Sequence, residues 1–229
     1  MSSGAIVKLR PKAIVFDLDG TLVDSAPEIA TALNTAMAEI GQPPFPLTEV
    51  QTFIGGGATV AVKRALAARG ASITDTAFDA MMASFYKVYA EVSEAGNGLY
   101  PGVKETLSEL RRRGLPLGVC TNKAEPIAAI ALRALGIAPY FGAVIGARDD
   151  LPRKPAPDML LAALVKLGAR PAEALVVGDS RSDVGAARAA GCPVIAVSYG
   201  YAHGPVEDLR ADRVIDHMLD LLLHLDGVA

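Results

Sequence analysis

Cysteine is scarce, charge of one sign is not in large excess, and long hydrophobic runs are missing; each absence removes a class of protein. Cys120 and Cys192 are the only cysteines and form no CxxC pair. A disulfide framework is therefore excluded, and both residues read as buried thiols in a reducing cytosol. With a net charge of −3 the chain lacks the diffuse basic surface expected for a nucleic-acid partner. No uninterrupted apolar segment approaches the roughly 20 residues that span a bilayer. The opening MSSGAIVKLRPKAIVF has no basic region followed by a long apolar stretch and a small-residue cleavage site, so a secretory leader is not expected. These absences predict a soluble, cytoplasmic protein without membrane or nucleic-acid partners. Repeats, low-complexity tracts and heptads are missing as well.

What is present is apolar sequence in short pieces. Hydrophobic residues make up 51% of the 229, enough for a sizeable core with a smaller insertion. Five brief runs rich in β-branched residues and closed by turn chemistry read as strands: Ala13–Phe16, Leu115–Cys120, Ala143–Ile145, Ala174–Val177 and Val194–Val197. From the second run onward, helical spacing fills the gaps over Ala124–Leu135, Pro157–Leu167 and Ser182–Ala190, the last closed by Gly191. Strand and helix in alternation predict an α/β fold, a Rossmann-like parallel sheet covered on both faces.

The stretch between the first and second runs is different. It reads as helices only, over Pro27–Ile40, Leu47–Phe53, Ala58–Arg69, Asp75–Val92 and Val103–Arg113, with punctuation at Gly41-Gln42-Pro43-Pro44, Gly55-Gly56-Gly57 and Gly96-Asn97-Gly98. That block is too long for one crossover. The expectation is an α-helical insertion over residues 25–99 and a core assembled from residues 1–24 and 100–229.

The chemistry-bearing residues gather at strand ends. The first run leads into Asp17-Leu18-Asp19-Gly20-Thr21, the second into Thr121-Asn122-Lys123, and the fourth into Gly178-Asp179-Ser180-Arg181-Ser182-Asp183, while Lys154-Pro155 precedes the helix at Pro157. In a parallel sheet, ligands collect at the carboxyl ends of strands. Each residue has a purely structural reading when taken alone. Asp-x-Asp-Gly is a turn, Thr121 and Ser180 are helix caps, Lys154 is a solvated lysine, and Asp183 is a favourable charge in a helical first turn. Together they predict one crevice holding Asp17, Asp19, Thr121, Lys154, Asp179 and Asp183.

Four carboxylates in one crevice repel and raise one another's pKa unless a cation intervenes. Oxygen donors with no histidine or cysteine cluster beside them favour Mg²⁺ over Zn²⁺. His203, His217 and His224 lie near the C-terminus, outside every strand-end motif, and read as surface or packing residues. A metal, a lysine, a hydroxyl and paired aspartates suit phosphoryl transfer, with a carboxylate attacking phosphorus and a second carboxyl moving a proton.

These motifs, in this order and over nearly the whole chain, resemble the haloacid dehalogenase superfamily of phosphatases. Within it the chain is similar to bacterial phosphoglycolate phosphatases through FIGGGATVAVKRAL, YPGVKETLSELRRRG, GVCTNK, VGDSRSDVGAARAAGC and ADRVIDH. The resemblance implies a small phosphorylated metabolite as substrate, Asp17 as nucleophile and Asp19 as general acid/base. It further implies Thr121 on the phosphate and Lys154 as the charge partner of both. Mg²⁺ would be held by Asp17, the carbonyl of Asp19 and Asp179, with Asp183 close by, and residues 25–99 would be a cap of the first type. Gly55, Gly56 and Gly57 offer backbone N–H groups to a substrate anion, and Asn122 and Lys123 join them as candidate substrate-binding residues. Lys63 and Arg64 lie further along the same helix and read as solvated. A haloacid dehalogenase is disfavoured, because Asp19 is an acid/base that such an enzyme does not need. A sugar phosphomutase remains an alternative, as does, outside enzymes, a receiver-type phospho-signalling switch. A homodimer stays open.

Overall fold

The computed structural model describes residues 9–96 and 98–226. The leader reading over residues 1–8 and the centre of the Gly96-Asn97-Gly98 punctuation lie outside the described residues. A six-stranded sheet forms the centre, in the order β3-β2-β1-β4-β5-β6. Its strands are β1 (Ala13–Phe16), β2 (Leu117–Ala124), β3 (Ala143–Ala147), β4 (Ala174–Gly178), β5 (Val194–Val197) and β6 (Arg213–Ile215). Every pairing is parallel. The expected α/β fold with a parallel sheet is borne out.

Alternation along the strands builds two faces. Ile14, Phe16, Leu117, Val119, Leu175 and Val177 pack on one side, against α5 (Val103–Arg112) and α6 (Glu125–Ala134). Val15, Cys120, Ile145 and Val176 face the other side, against α7 (Asp158–Leu167) and α8 (Arg181–Ala190). Both faces are apolar because both are covered, which is why the strands read as continuous hydrophobic runs.

The structure moves four strand ends: β3 runs on to Ala147 and β4 to Gly178, past the expected Ile145 and Val177, and β2 differs at both ends. β2 begins at Leu117 rather than Leu115, because Pro116 has no N–H for the ladder and contributes only its carbonyl, which accepts Ile14 N–H at 3.0 Å. Its far end continues to Ala124, past a register shift against β3 between Cys120 and Ala124. That shift displaces Thr121, Asn122 and Lys123 from regular pairing. β6 was not expected: it is three residues long and pairs Arg213 with Ile195, too short a segment for any periodicity to register.

Four helices, α1 (Ala26–Glu39), α2 (Leu47–Phe53), α3 (Ala58–Ala68) and α4 (Asp75–Ser93), precede α5. Leu33, Met37, Val62, Met81 and Phe85 form an apolar cluster of their own, joined from the sheet side by Ile127 of α6. Two chain segments lead into and out of this unit side by side. Asp24 N–H donates to Gly98 O at 2.6 Å, Tyr100 N–H donates to Leu22 O at 3.1 Å, and Val23 bridges Leu99 antiparallel. Among the described residues no helix is long and apolar enough to cross a membrane.

Candidate active site

β1 lies between β2 and β4, the place where the strand order reverses. A crevice opens at the carboxyl end of such a strand, and Asp17 is the first residue beyond β1. Its N–H still donates to Val177 O at 2.9 Å, so the sheet fixes its position. The chain then turns on the Leu18 carbonyl, which accepts the N–H groups of Thr21, Leu22 and Val23. Gly20 sits in this turn at φ +85°, and a Cβ there would fall 2.3 Å from Asp179 Oδ2. Only glycine lets the two strand ends approach this closely.

Lys154 ties the crevice together from below. Its ammonium lies 2.6 Å from Asp183 Oδ1 and 2.9 Å from Asp17 Oδ1, and donates to Cys120 O at 2.7 Å. Burial alone would push this lysine down, but Asp17 and Asp183 outweigh it and hold the group well above its ordinary pKa. The loop carrying it is fixed by Asn122, whose Nδ2 donates to Lys154 O and whose Oδ1 accepts Lys154 N–H, both at 3.0 Å. Asn122, expected on the substrate, lines the cavity described below, and both ends of its amide engage the Lys154 backbone.

Asp183 performs the two jobs that its sequence position suggested separately. Its Oδ2 accepts the Ser180 hydroxyl at 2.6 Å and the Ser180 and Asp179 N–H groups at 3.0 and 3.2 Å, closing a capping box at the start of α8. Its Oδ1 faces Lys154. Asp179 accepts Thr21 Oγ1–H at 3.0 Å and Tyr201 N–H at 2.7 Å. One oxygen from each of Asp17, Asp179 and Asp183 falls within 4.8 Å of the others. Burial, then repulsion from Asp183, pushes the Asp17 carboxyl up to about 7, with Lys154 offsetting part of the rise. Burial, then Asp183 and Asp17, raises Asp179 well above its ordinary pKa.

The Asp19 side chain lies outside this triad and pairs with Lys123 Nζ at 3.0 Å. The same ammonium contacts the Tyr89 hydroxyl and lies 4.0 Å from the centroid of the Tyr89 ring, so α4 reaches into the crevice. Thr121 is buried, and its Oγ1 accepts Lys123 N–H at 3.2 Å.

A cavity of about 480 Å³ connects these groups to the helical unit, and Gly55, Gly56 and Gly57 line it. All three glycines have positive φ. A Cβ on Gly57 would stand 2.8 Å from Asn122 O, so the glycine loop lies directly against the end of β2. Two residues read as remote also line the cavity. Arg64 donates from Nη1 to Phe53 O and Ile54 O at 3.0 and 3.2 Å; its long side chain reaches back to the end of α2 rather than into solvent alone. His203, although exposed, holds Ile54 O at 2.7 Å through Nε2 and links the loop after β5 to the glycine loop. Both contacts depend on tertiary approach, and no local pattern marks them. Tyr89 was legible only as a core position, one turn after Phe85 on the apolar face of α4.

A family model described as haloacid dehalogenase-like hydrolase matches residues 11–191. The chain is 45% identical over 212 residues to the phosphoglycolate phosphatase of Yersinia pseudotuberculosis, across 92% of this chain and 91% of that protein. It is 41% identical over 234 residues to the phosphoglycolate phosphatase of Escherichia coli, across 95% and 93%. Among solved structures, a predicted phosphoglycolate phosphatase from Haemophilus somnus superposes with a TM-score of 0.84 at 36% identity, over 93% of this chain and 97% of that one.

Proposed function

Because the chain belongs to the haloacid dehalogenase-like hydrolase family and is a phosphoric monoester hydrolase acting on a small phosphorylated substrate, we propose that it converts 2-phosphoglycolate to glycolate and phosphate, with Mg²⁺ bound and through an aspartyl-phosphate on Asp17. The observation that carries this reading is the Asp17 carboxylate at the cavity, with Lys154 Nζ at 2.9 Å and Leu18 N–H at 2.7 Å both on Oδ1. A nucleophile held by one oxygen keeps the lone pairs of Oδ2 for phosphorus.

In this reading Asp17 attacks phosphorus as the ester P–O bond breaks, and Asp19 gives its proton to the departing glycolate oxygen. Asp19 then takes a proton from water, which attacks the acyl-phosphate, releases phosphate and restores Asp17. Thr121 donates to the phosphate, and Lys154 offsets charge on nucleophile and phosphate. The donor set suits a hard divalent cation: three carboxylates converge while the Lys154 ammonium pairs with only two of them, Asp17 and Asp183, burial raises Asp17 and Asp179, and neither histidine nor cysteine joins the triad. Asp17, Asp179, Asp183 and the carbonyl of Asp19 would hold Mg²⁺, which when bound neutralises charge on the carboxylates and the phosphate.

Residues 25–99 serve as a cap that closes over the substrate. The Gly55–Gly57 backbone and the remaining ammonium proton of Lys123 take the substrate carboxylate. Buried free thiols at Cys120 and Cys192 suit a reducing cytosol. Phosphate release from a panel of small phosphorylated metabolites tests the assignment. Phosphoglycolate should give the highest kcat/KM, and chelation of Mg²⁺ should stop turnover; a better substrate without a carboxylate near its phosphate sinks it.

A further inference from the structure

Tyr201 touches both the acidic triad and the entry to α1. Its backbone N–H donates to Asp179 Oδ2 at 2.7 Å, inside the acidic triad. Its hydroxyl donates to Asp24 Oδ1 at 2.5 Å and accepts the N–H of Ala26, the first residue of α1, at 2.9 Å. Burial, then the bond to Asp24, keeps the phenol protonated, which fixes it as the donor to that carboxylate. Asp24 in turn gives its N–H to Gly98 O at 2.6 Å, so a single hydroxyl reaches both segments that join the helical unit to the sheet.

The approach is enforced by glycine. A Cβ on Gly200 would lie 2.3 Å from Asp179 Cβ and 2.5 Å from Gly20 O, and a Cβ on Gly20 would lie 2.9 Å from Tyr201 Cδ2. Tyr199, on the other side of Gly200, donates its hydroxyl to Thr21 O at 3.0 Å, while Thr21 Oγ1 holds the second oxygen of Asp179. Asp179 is therefore oriented by the Tyr199-Gly200-Tyr201 turn and by the very loop that leads into α1.

We infer that Tyr201 is a positioning residue that couples occupation of the metal site to the setting of the two linkers that join the helical unit to the sheet. A shift of Asp179 is passed to Asp24 and Ala26 through one side chain two bonds from the Asp179 contact, with no mobile segment between them. Coupling of this kind is reciprocal: an ion that fixes Asp179 steadies the linkers, and closed linkers favour the ion. The inference rests on the reading that Asp179 holds the metal ion.

Hydrogen exchange of the full chain with and without Mg²⁺ tests it. In the wild type, Mg²⁺ should slow exchange at residues 179–183 and also, roughly fivefold, in the linkers at 22–26 and 98–101. In Tyr201→Phe, which keeps the ring and the backbone N–H, Mg²⁺ should still protect 179–183 while the linker response is lost. Asp24→Ala should lose the same response from the other end, and Asp24→Asn, which keeps an acceptor for the hydroxyl, should retain it. A full linker response in Tyr201→Phe, or wild-type linkers indifferent to Mg²⁺ while 179–183 are protected, overturns the coupling alone. Protection of neither region in the wild type overturns the metal reading and the coupling with it.

Discussion

Lys154 Nζ lies closer to Asp183 Oδ1, at 2.6 Å, than to Asp17 Oδ1, at 2.9 Å. The cation is anchored on the carboxylate that caps α8 and presented to the one that faces the cavity. Lys154→Met removes the one ammonium held by this pair of carboxylates. The metal-free variant should lose roughly 3–5 kcal/mol at pH 8 and kcat should fall about 10²–10³-fold. The stability loss should shrink on acidification. Asp17, raised to about 7, binds its proton more tightly folded than unfolded, so its contribution is present below its ordinary pKa and is lost as pH rises through about 7. Denaturant unfolding without metal at pH 5 and pH 8 checks this; an equal loss at both would remove electrostatic repulsion as the cause.

Asp17 and Asp19 are two residues apart, yet only Asp17 places its side chain in the acidic triad. Asp17→Asn should abolish turnover and covalent labelling, since an amide is a poor nucleophile. Asp19→Asn should lower kcat by ~10²–10⁴-fold while keeping its Mg²⁺ requirement, because its ion pair is with Lys123 and not with the triad. Asp179→Ala should instead raise the Mg²⁺ concentration for half-maximal rate. Mg²⁺ titrations of the steady-state rate separate the last two; an unchanged requirement in Asp179→Ala removes that residue from the ligand set.

Gly57 meets Asn122 O at the distance where a Cβ would stand 2.8 Å away, whereas Gly70, also at positive φ, has nothing within 4 Å. Alanine costs about 1–2 kcal/mol of backbone strain at Gly70 and up to about 3 kcal/mol at Gly57, whose φ of +92° and ψ of 172° lie in a region that side chains rarely enter. Only Gly57→Ala also pushes the glycine loop off the end of β2. It should raise KM for phosphoglycolate at least about tenfold, an effect of ~1.4 kcal/mol, and Gly70→Ala should lower the melting temperature without altering kinetics. Identical kinetics in the two variants would show that the close approach at Gly57 has no part in binding.

How far these features were legible depended on how local their cause was. β1 and β5 are continuous apolar runs of four residues with sharp ends, and their boundaries follow from composition alone. Asp17, Thr121 and Asp179 follow such runs, so a parallel sheet was enough to bring them together. β6 escaped because three residues with Val214 exposed carry no alternation to detect. His203 is 149 positions from the carbonyl it holds, and Tyr201 is 177 from Asp24. Such pairs are set by how the loop after β5 folds back over the linkers, and nothing within either segment records it. The hold of Asn122 on the Lys154 backbone went unread for a related reason: an amide at a strand end looks free until the loop from residue 153 to 155 is laid against it.

The Lys123 ammonium is the place where catalysis and substrate choice meet. It is buried, pairs with Asp19 at 3.0 Å and is held by both the hydroxyl and the ring of Tyr89. A cation with two fixed partners positions Asp19 whatever the substrate, while its third proton is of use only to a substrate that brings a second anion. Lys123→Met should therefore lower kcat for phosphoglycolate and for an aryl phosphate alike, and raise KM for phosphoglycolate only. Tyr89→Phe keeps the ring but removes the hydroxyl, a hydrogen bond to a charged group worth ~1.5–3 kcal/mol. It should reproduce a milder fall in kcat, and Tyr89→Leu, which removes the ring as well, a fall between the other two. Kinetics of the three variants on both substrates decide the matter. If Lys123→Met left kcat for the aryl phosphate intact, the contact with Asp19 would have no catalytic role; if KM for phosphoglycolate did not move, its carboxylate would bind elsewhere, with the glycine loop the nearest set of donors.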